Sequence, residues 1–120
     1  MKRLLRLPLV ILLLVFGCSD PISDLDDFGR RFLKALQEGD GMTVRSLCVE
    51  SDAQRIWDAV QGRQLDKARR IWLRQLSGGV SGDSFIVWVA DMPDDSSIQI
   101  RLDAIIDGRR GWRGKSIKFN

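Results

Sequence analysis

Few residues in this chain have chemistry to offer. Its 120 residues include two Cys, 16 Asp plus Glu and 19 Lys plus Arg, and neither His nor Tyr. Without His, the commonest general base and the commonest metal ligand are missing, which excludes serine–histidine and cysteine–histidine catalysis and most zinc sites. Asp103 is the carboxylate best suited to acid–base work. It lies between Leu102 and Ala104, and burial there would raise its pKa toward the range a general base needs. The alternation of that segment instead places Arg101 and Asp103 together on a solvated face. Trp88 and Trp112 fall in strand-like segments, and Trp is enriched where ligands and partners are held. Together with Arg101 and Asp103 they are the candidate ligand-binding residues, and no catalytic residue is assigned. Cys48 sits among Val44, Leu47 and Val49, which predicts a buried, inert thiol with nothing beside it to activate it. The sequence Ser77-Gly78-Gly79-Val80-Ser81-Gly82 lacks the Gly-Lys-Ser/Thr ending of a phosphate cradle. No metal or cofactor is called for.

The formal charge of +3 hides an uneven distribution. Residues 1–17 hold Lys2, Arg3 and Arg6 and no acid, and the remainder balances 16 cations against 16 anions. The basic start is followed by an apolar stretch from Leu7 to Gly17, 11 residues long. A membrane-spanning helix needs roughly 17–25, so the segment reads as a removable export signal. Its end, Val15-Phe16-Gly17-Cys18, resembles the lipobox of bacterial lipoproteins. That resemblance implies cleavage before Cys18, acylation of Cys18 (palmitate among the chains) and attachment to the cell envelope. Ser19 implies an outer-membrane, periplasm-facing location. Cys48 would then have no disulfide partner. The expected organisation is a signal over 1–17, a lipidated tether over 18–22 and one α+β domain over 23–120. Fully extended, the tether spans less than roughly 20 Å, which keeps the domain against the membrane.

Ser23 opens a helix signal, with Asp24, Asp26 and Asp27 in the first turns, where carboxylates favour the positive end of the macrodipole. Leu25, Phe28, Phe32, Leu33, Ala35 and Leu36 supply its apolar face, and Gly39 stops it. A short second helix is predicted over Met42 to Cys48. A third, introduced by the capping-box spacing of Ser51 and Gln54, carries Ala53, Ile56, Trp57 and Val60. A fourth helical stretch is read from Leu65, Ala68, Ile71, Trp72 and Leu76, with Arg63, Lys67, Arg69, Arg70 and Arg74 on its solvated side. Trp57 and Trp72 are thereby assigned to the core. The glycine-rich segment then joins a helical half to a sheet half. Phe85 to Ala90 is apolar on both faces, as a central strand would be. Met92-Pro93-Asp94-Asp95 forms a turn. Ile98, Ile100, Leu102, Ala104 and Ile106 alternate with polar residues, Asp107-Gly108 turns the chain, and Trp112 to Phe119 ends it with a bulge at Gly114.

Helices followed by an antiparallel meander give an α+β fold, with N-terminal helices packed on a curved sheet of three to four strands. The stretch Phe32 to Asp40, ending in Gly39-Asp40, and the ending Asp107-Gly108 … Gly111-Trp112-Arg113 resemble the nuclear-transport-factor-two-like (SnoaL-like, cone-shaped) superfamily, especially its small bacterial lipoproteins. The resemblance implies a pocket between the helices and the concave sheet face. In enzymes of that superfamily, pocket Asp, His or Tyr residues carry isomerisation or dehydration. With His and Tyr absent, a non-enzymatic binding module ranks first. Its partners would be the membrane, through lipid on Cys18, and an envelope protein or a small apolar ligand. A small isomerase or dehydratase based on Asp103 ranks second. An electrostatic reader of membranes or polyanions, using Arg109, Arg110, Arg113, Lys115 and Lys118, ranks third. Nucleic acid is disfavoured by export and by the neutral mature charge.

Overall fold

The computed structural model describes residues 21–78 and 84–120. The export signal, Cys18, the start of the tether and residues 79–83 lie outside the described residues. Helix α1 runs Pro21–Glu38. It starts two residues before Ser23 because proline, which lacks an N–H, fits the first helical turn without loss. Leu25, Phe28, Phe32, Ala35 and Leu36 form its buried face. Helix α2 spans Gly41–Ser46. Asp40 caps it, accepting hydrogen bonds from the Thr43 N–H at 3.2 Å and the Thr43 hydroxyl at 2.6 Å. Helix α3 spans Ala53–Gln61. It is opened by Asp52, which pairs with Arg55, and not by a box between Ser51 and Gln54. Gln54 instead donates forward to Asp58 at 2.9 Å.

The fourth helix does not form. Leu65–Lys67 make one 3-10 turn, and the chain then enters strand β1, Arg70–Ser77. β2 is Ser84–Asp91, β3 is Ser97–Asp107, and β4 is Gly111–Phe119, after a second 3-10 turn over Gly108–Arg110. The order is β1-β2-β3-β4, with each neighbouring pair antiparallel. Sequence periodicity misled at β1 because a bulge falls between Leu73 and Gln75. Ile71 and Leu73 lie opposite Ala90 and Trp88, and after the extra residue Leu76 lies opposite Ile86. Ile71, Leu73 and Leu76 thus share the inner face, and the residues Ile71, Trp72 and Leu76 that read as one helical flank are split between the two faces of a strand. Trp72, expected in the core, pairs with Val89 on the outer face and is 40 % exposed. The arginines expected on a solvated helix instead tie the sheet together. Arg69 pairs with Asp95, Arg70 with Asp91, and Arg74 donates to Gln99 at 2.8 Å. The glycine-rich segment therefore links two paired strands.

β2 is the central apolar strand, buried on both faces. Opposite Asp103 and Ala104, the register of β4 skips Lys115, so the predicted bulge lies one residue beyond Gly114. The core sits between the inner face of the sheet and the helices. Ile86, Trp88, Ala90, Ile100, Leu102, Ala104 and Trp112 supply the sheet side. Phe32 stacks on Trp88 with ring planes 3° apart and centroids at 6.2 Å, and Phe28 tilts against Phe32 at 6.1 Å. α1 lies so close to β2 that a Cβ on Gly29 would fall 2.7 Å from Ile86 Cδ1. All core residues lie between Leu25 and Trp112, so the part from Ser19 onward carries its own core. Among the described residues no helix is long and apolar enough to cross a membrane.

Two outcomes follow. The domain of residues 19–120 should unfold cooperatively on heating, and Phe32→Ala should cost it about 3–5 kcal/mol in urea titration, the range for emptying an aromatic core position. The hydrogen bonds from Thr43, the hydroxyl foremost and then the backbone N–H, hold the Asp40 carboxyl below its ordinary 3.8. The stabilisation from that cap is therefore complete above the ordinary value and is lost as pH falls through the lower folded one. The difference in melting temperature between wild type and Asp40→Ala should accordingly shrink on acidification below about pH 4.

Candidate functional site

A cleft of about 750 Å³ lies at one end of the domain, between the first turns of α1 and the β3–β4 connection. Helical spacing places Asp24, Asp27, Phe28 and Arg31 along one flank of α1. Across the cleft, Ile106 and Trp112 stand side by side as a directly opposed β3–β4 pair. The 3-10 turn brings Arg110 to the rim, and Gly111 closes the lip. Gly111 has φ 78° and ψ −149°, a conformation essentially confined to glycine. Phe28 and Trp112 are buried, forming the floor, whereas Ile106 is 61 % exposed.

The charges around the cleft are unevenly engaged. Asp26 and Arg30 close an i, i+4 ion pair at 3.1 Å. Asp27 and Arg31 have the same spacing on the same helix and line the cleft, yet neither makes an ion pair or hydrogen bond among the described residues. Arg110 touches Asp107 only at 4.0 Å. Behind the rim, Arg113 donates to the Trp112 carbonyl at 2.7 Å, while its Nε is buried without a partner. Burial lowers the Arg113 pKa, and the nearby Arg110 and Arg31 lower it further. Arg31 and Arg110 therefore both lie close enough to act on the Arg113 guanidinium.

Of the four candidate ligand-binding residues, Trp112 alone lines this cleft. Trp88 is in the core, stacked on Phe32. Arg101 and Asp103 lie on the outer face of the sheet. Arg101 pairs with Asp103 at 3.2 Å and covers the Phe85 ring at 4.1 Å, and the Ser116 hydroxyl donates to Asp103 at 3.1 Å. The sheet thickness thus separates Asp103 from the helices. Cys18 lies outside the described residues. Cys48 is fully buried, its thiol donating to the Val44 carbonyl at 3.2 Å. The C-terminal cations do not gather on one face: Arg110 rims the cleft, whereas Lys115 and Lys118 border the outer-face depression beside Asp103. Sequence reasoning missed Asp27, Phe28, Arg31, Ile106 and Arg110 as neighbours. The available signal was the run of 24, 27, 28 and 31 on one helical flank, but nothing local announced that the β3–β4 turn would face it. Among the described residues no group of His, Cys, Asp and Glu is placed to hold a metal ion.

A crystal structure from Shewanella frigidimarina, described as a "putative ketosteroid isomerase", superposes with a TM-score of 0.58 over 81 % of this chain and 94 % of that one, at 17 % identity. The chain has the nuclear-transport-factor-two-like fold. At that identity the likeness concerns architecture: N-terminal helices on a curved, four-stranded antiparallel sheet. No family model matches the chain, and no curated protein does either.

Gly111→Ala should cost roughly 1–3 kcal/mol, the range for a side chain forced into that backbone region, and should reshape the cleft lip. Burial, with a smaller contribution from Asp52, pushes the Cys48 thiol from its ordinary 9.0 up to about 12. Maleimide should therefore label Cys48 only after unfolding. The folded state keeps its proton where the unfolded state loses it, so stability should fall as pH rises above 9, and Cys48→Ala should flatten that fall.

Proposed function

We propose that this protein is a bacterial envelope lipoprotein, anchored through lipid on Cys18, whose domain binds a small ligand in the cleft without transforming it. The observation that carries this reading is the filling of the fold's interior. Phe28, Phe32, Leu36, Trp88, Ile100 and Leu102 occupy the space between helices and sheet, and the single buried polar residue among the described ones is Ser84. An isomerase or dehydratase of this architecture would need a carboxylate inside an apolar pocket. Asp103, the residue best suited by sequence, faces the other way and is held by Arg101 and Ser116. The terminal cleft has an apolar floor and a charged rim, the composition of a small-molecule site.

The short link to Cys18 supports a position at the membrane. Helix α1 begins at Pro21, so only Ser19 and Asp20 separate it from the anchor, and the three residue steps from Cys18 to Pro21 span at most about 11 Å. Each acyl methylene buried in the bilayer contributes about 0.8 kcal/mol, and several chains together hold firmly. Labelled palmitate fed to a bacterial host should enter the wild type and not Cys18→Ala, with the wild type in the membrane fraction. Unlabelled wild-type protein in the soluble fraction would refute the anchor. In an assay for moving a double bond into conjugation with a ketone, wild type and Asp103→Asn should both match buffer. Turnover by the wild type that Asp103→Asn abolishes would overturn the non-catalytic reading.

A further inference from the structure

Resting on the reading of the cleft as a ligand site, we propose that it takes the head group of a zwitterionic amphiphile, with a primary ammonium at Asp27, a phosphate or carboxylate between Arg31 and Arg110, and the apolar portion against Phe28, Ile106 and Trp112. The contrast within α1 is the starting observation. Asp26 and Arg30 pair at 3.1 Å, as oppositely charged residues one turn apart normally do. Asp27 and Arg31, one position on, stay apart and both line the cleft. An unpaired acid and an unpaired base about one helical turn apart present both signs to whatever enters. A purely anionic ligand would leave Asp27 facing a like charge, and a purely cationic one would meet Arg31 and Arg110.

The anionic end of the ligand is assigned to the arginines because they lack carboxylate partners of their own. Arg31 has none among the described residues, and Arg110 has Asp107 only at 4.0 Å. Guanidinium groups bind phosphate and carboxylate by paired N–H donors. Besides burial, Arg110 and Arg31 both act on the nearby Arg113 guanidinium and lower its pKa, so positive charge is concentrated where an anion would sit. The floor of Phe28 and Trp112 and the exposed Ile106 suit acyl or other apolar chain. Asp27 stands six residues into α1, about 9 Å along the helix from Pro21. Lipidated at Cys18, the protein would hold this cleft within reach of the head-group layer. A phospholipid with an ethanolamine head and a free amphiphile of the same chemistry both fit.

The test uses the domain of residues 19–120, following Trp emission during titration with dihexanoyl-phosphatidylethanolamine or dihexanoyl-phosphatidylglycerol below micelle formation. The ethanolamine lipid should bind about tenfold more tightly, the effect of one charge-assisted hydrogen bond. Asp27→Asn should erase that preference, and Arg31→Gln should weaken both lipids about tenfold. Both positions are exposed on α1, and unchanged thermal unfolding would confirm that the variants fold. Equal affinity for the two lipids, indifference to Asp27→Asn, or no binding of either would overturn the proposal. Binding to vesicles containing phosphatidylethanolamine as well as to the short-chain lipid would assign a bilayer source. Binding to the short-chain lipid alone would assign a free amphiphile, and both results uphold the head-group chemistry. Displacement of an apolar fluorescent dye from the cleft separates the two levels. Dye binding sensitive to Trp112→Ala, without any phospholipid binding, would leave the ligand-site reading standing and remove this one.

Discussion

The stacking of Phe32 on Trp88 is the contact around which the rest of the domain is arranged. It brings α1 down onto the central strand, and Gly29 allows the close approach that follows. Once these two rings occupy the middle of the sheet's inner face, the neighbouring apolar residues have one place to go. Leu25, Leu36, Ile100 and Leu102 close around them. The consequence is a cone with a solid centre. Burial of aromatic area stabilises the fold strongly, and it fills the space between the helices and the sheet.

That displacement explains how polar groups are distributed. The inner face of the sheet is apolar, and the outer face carries Arg101, Asp103, Gln99 and Arg74 in pairs with one another and with neighbours. Ion pairs of this kind, partly exposed, contribute little stability individually. They nevertheless cover Val87 and Val89, which are buried on the outward side of β2. Asp27 and Arg31, which make no such pair among the described residues, lie at one end, where α1 and the β3–β4 turn meet. Function, if it lies in a site, moves from the middle of the fold to its rim.

Much of this was legible in the sequence, for identifiable reasons. β2 and β3 were readable because continuous apolarity and strict alternation are distinct patterns. α1 was readable because its apolar residues recur on one flank for its whole length. β1 was not, because its bulge breaks the alternation, and Ile71, Trp72 and Leu76 are left at a spacing that fits one flank of a helix. Trp72 was consequently placed inside when it stands outside. The site was less legible than the fold. Asp103 and Arg101 could be put on a solvated face from alternation alone, but Asp27, Arg31 and Arg110 become neighbours only through the crossing of α1 over the end of the sheet. No spacing rule connects residue 31 to residue 110, because their proximity is a property of packing.

The Phe32–Trp88 contact also bears on the order in which the molecule can assemble. Trp88 follows Phe32 by more than fifty residues, and an isolated helix of α1's length is marginal in water. During synthesis α1 therefore emerges with two phenylalanines and no surface to cover them. The meander that must cover them folds by local hairpins, each strand pairing with the next, but its central strand arrives late in the chain. Until then the leading segment is a sticky, unfinished amphipathic helix. Chain closure between its first helix and its second strand is the slow, non-local event, and the exposed apolar flank of α1 is open to aggregation throughout that interval.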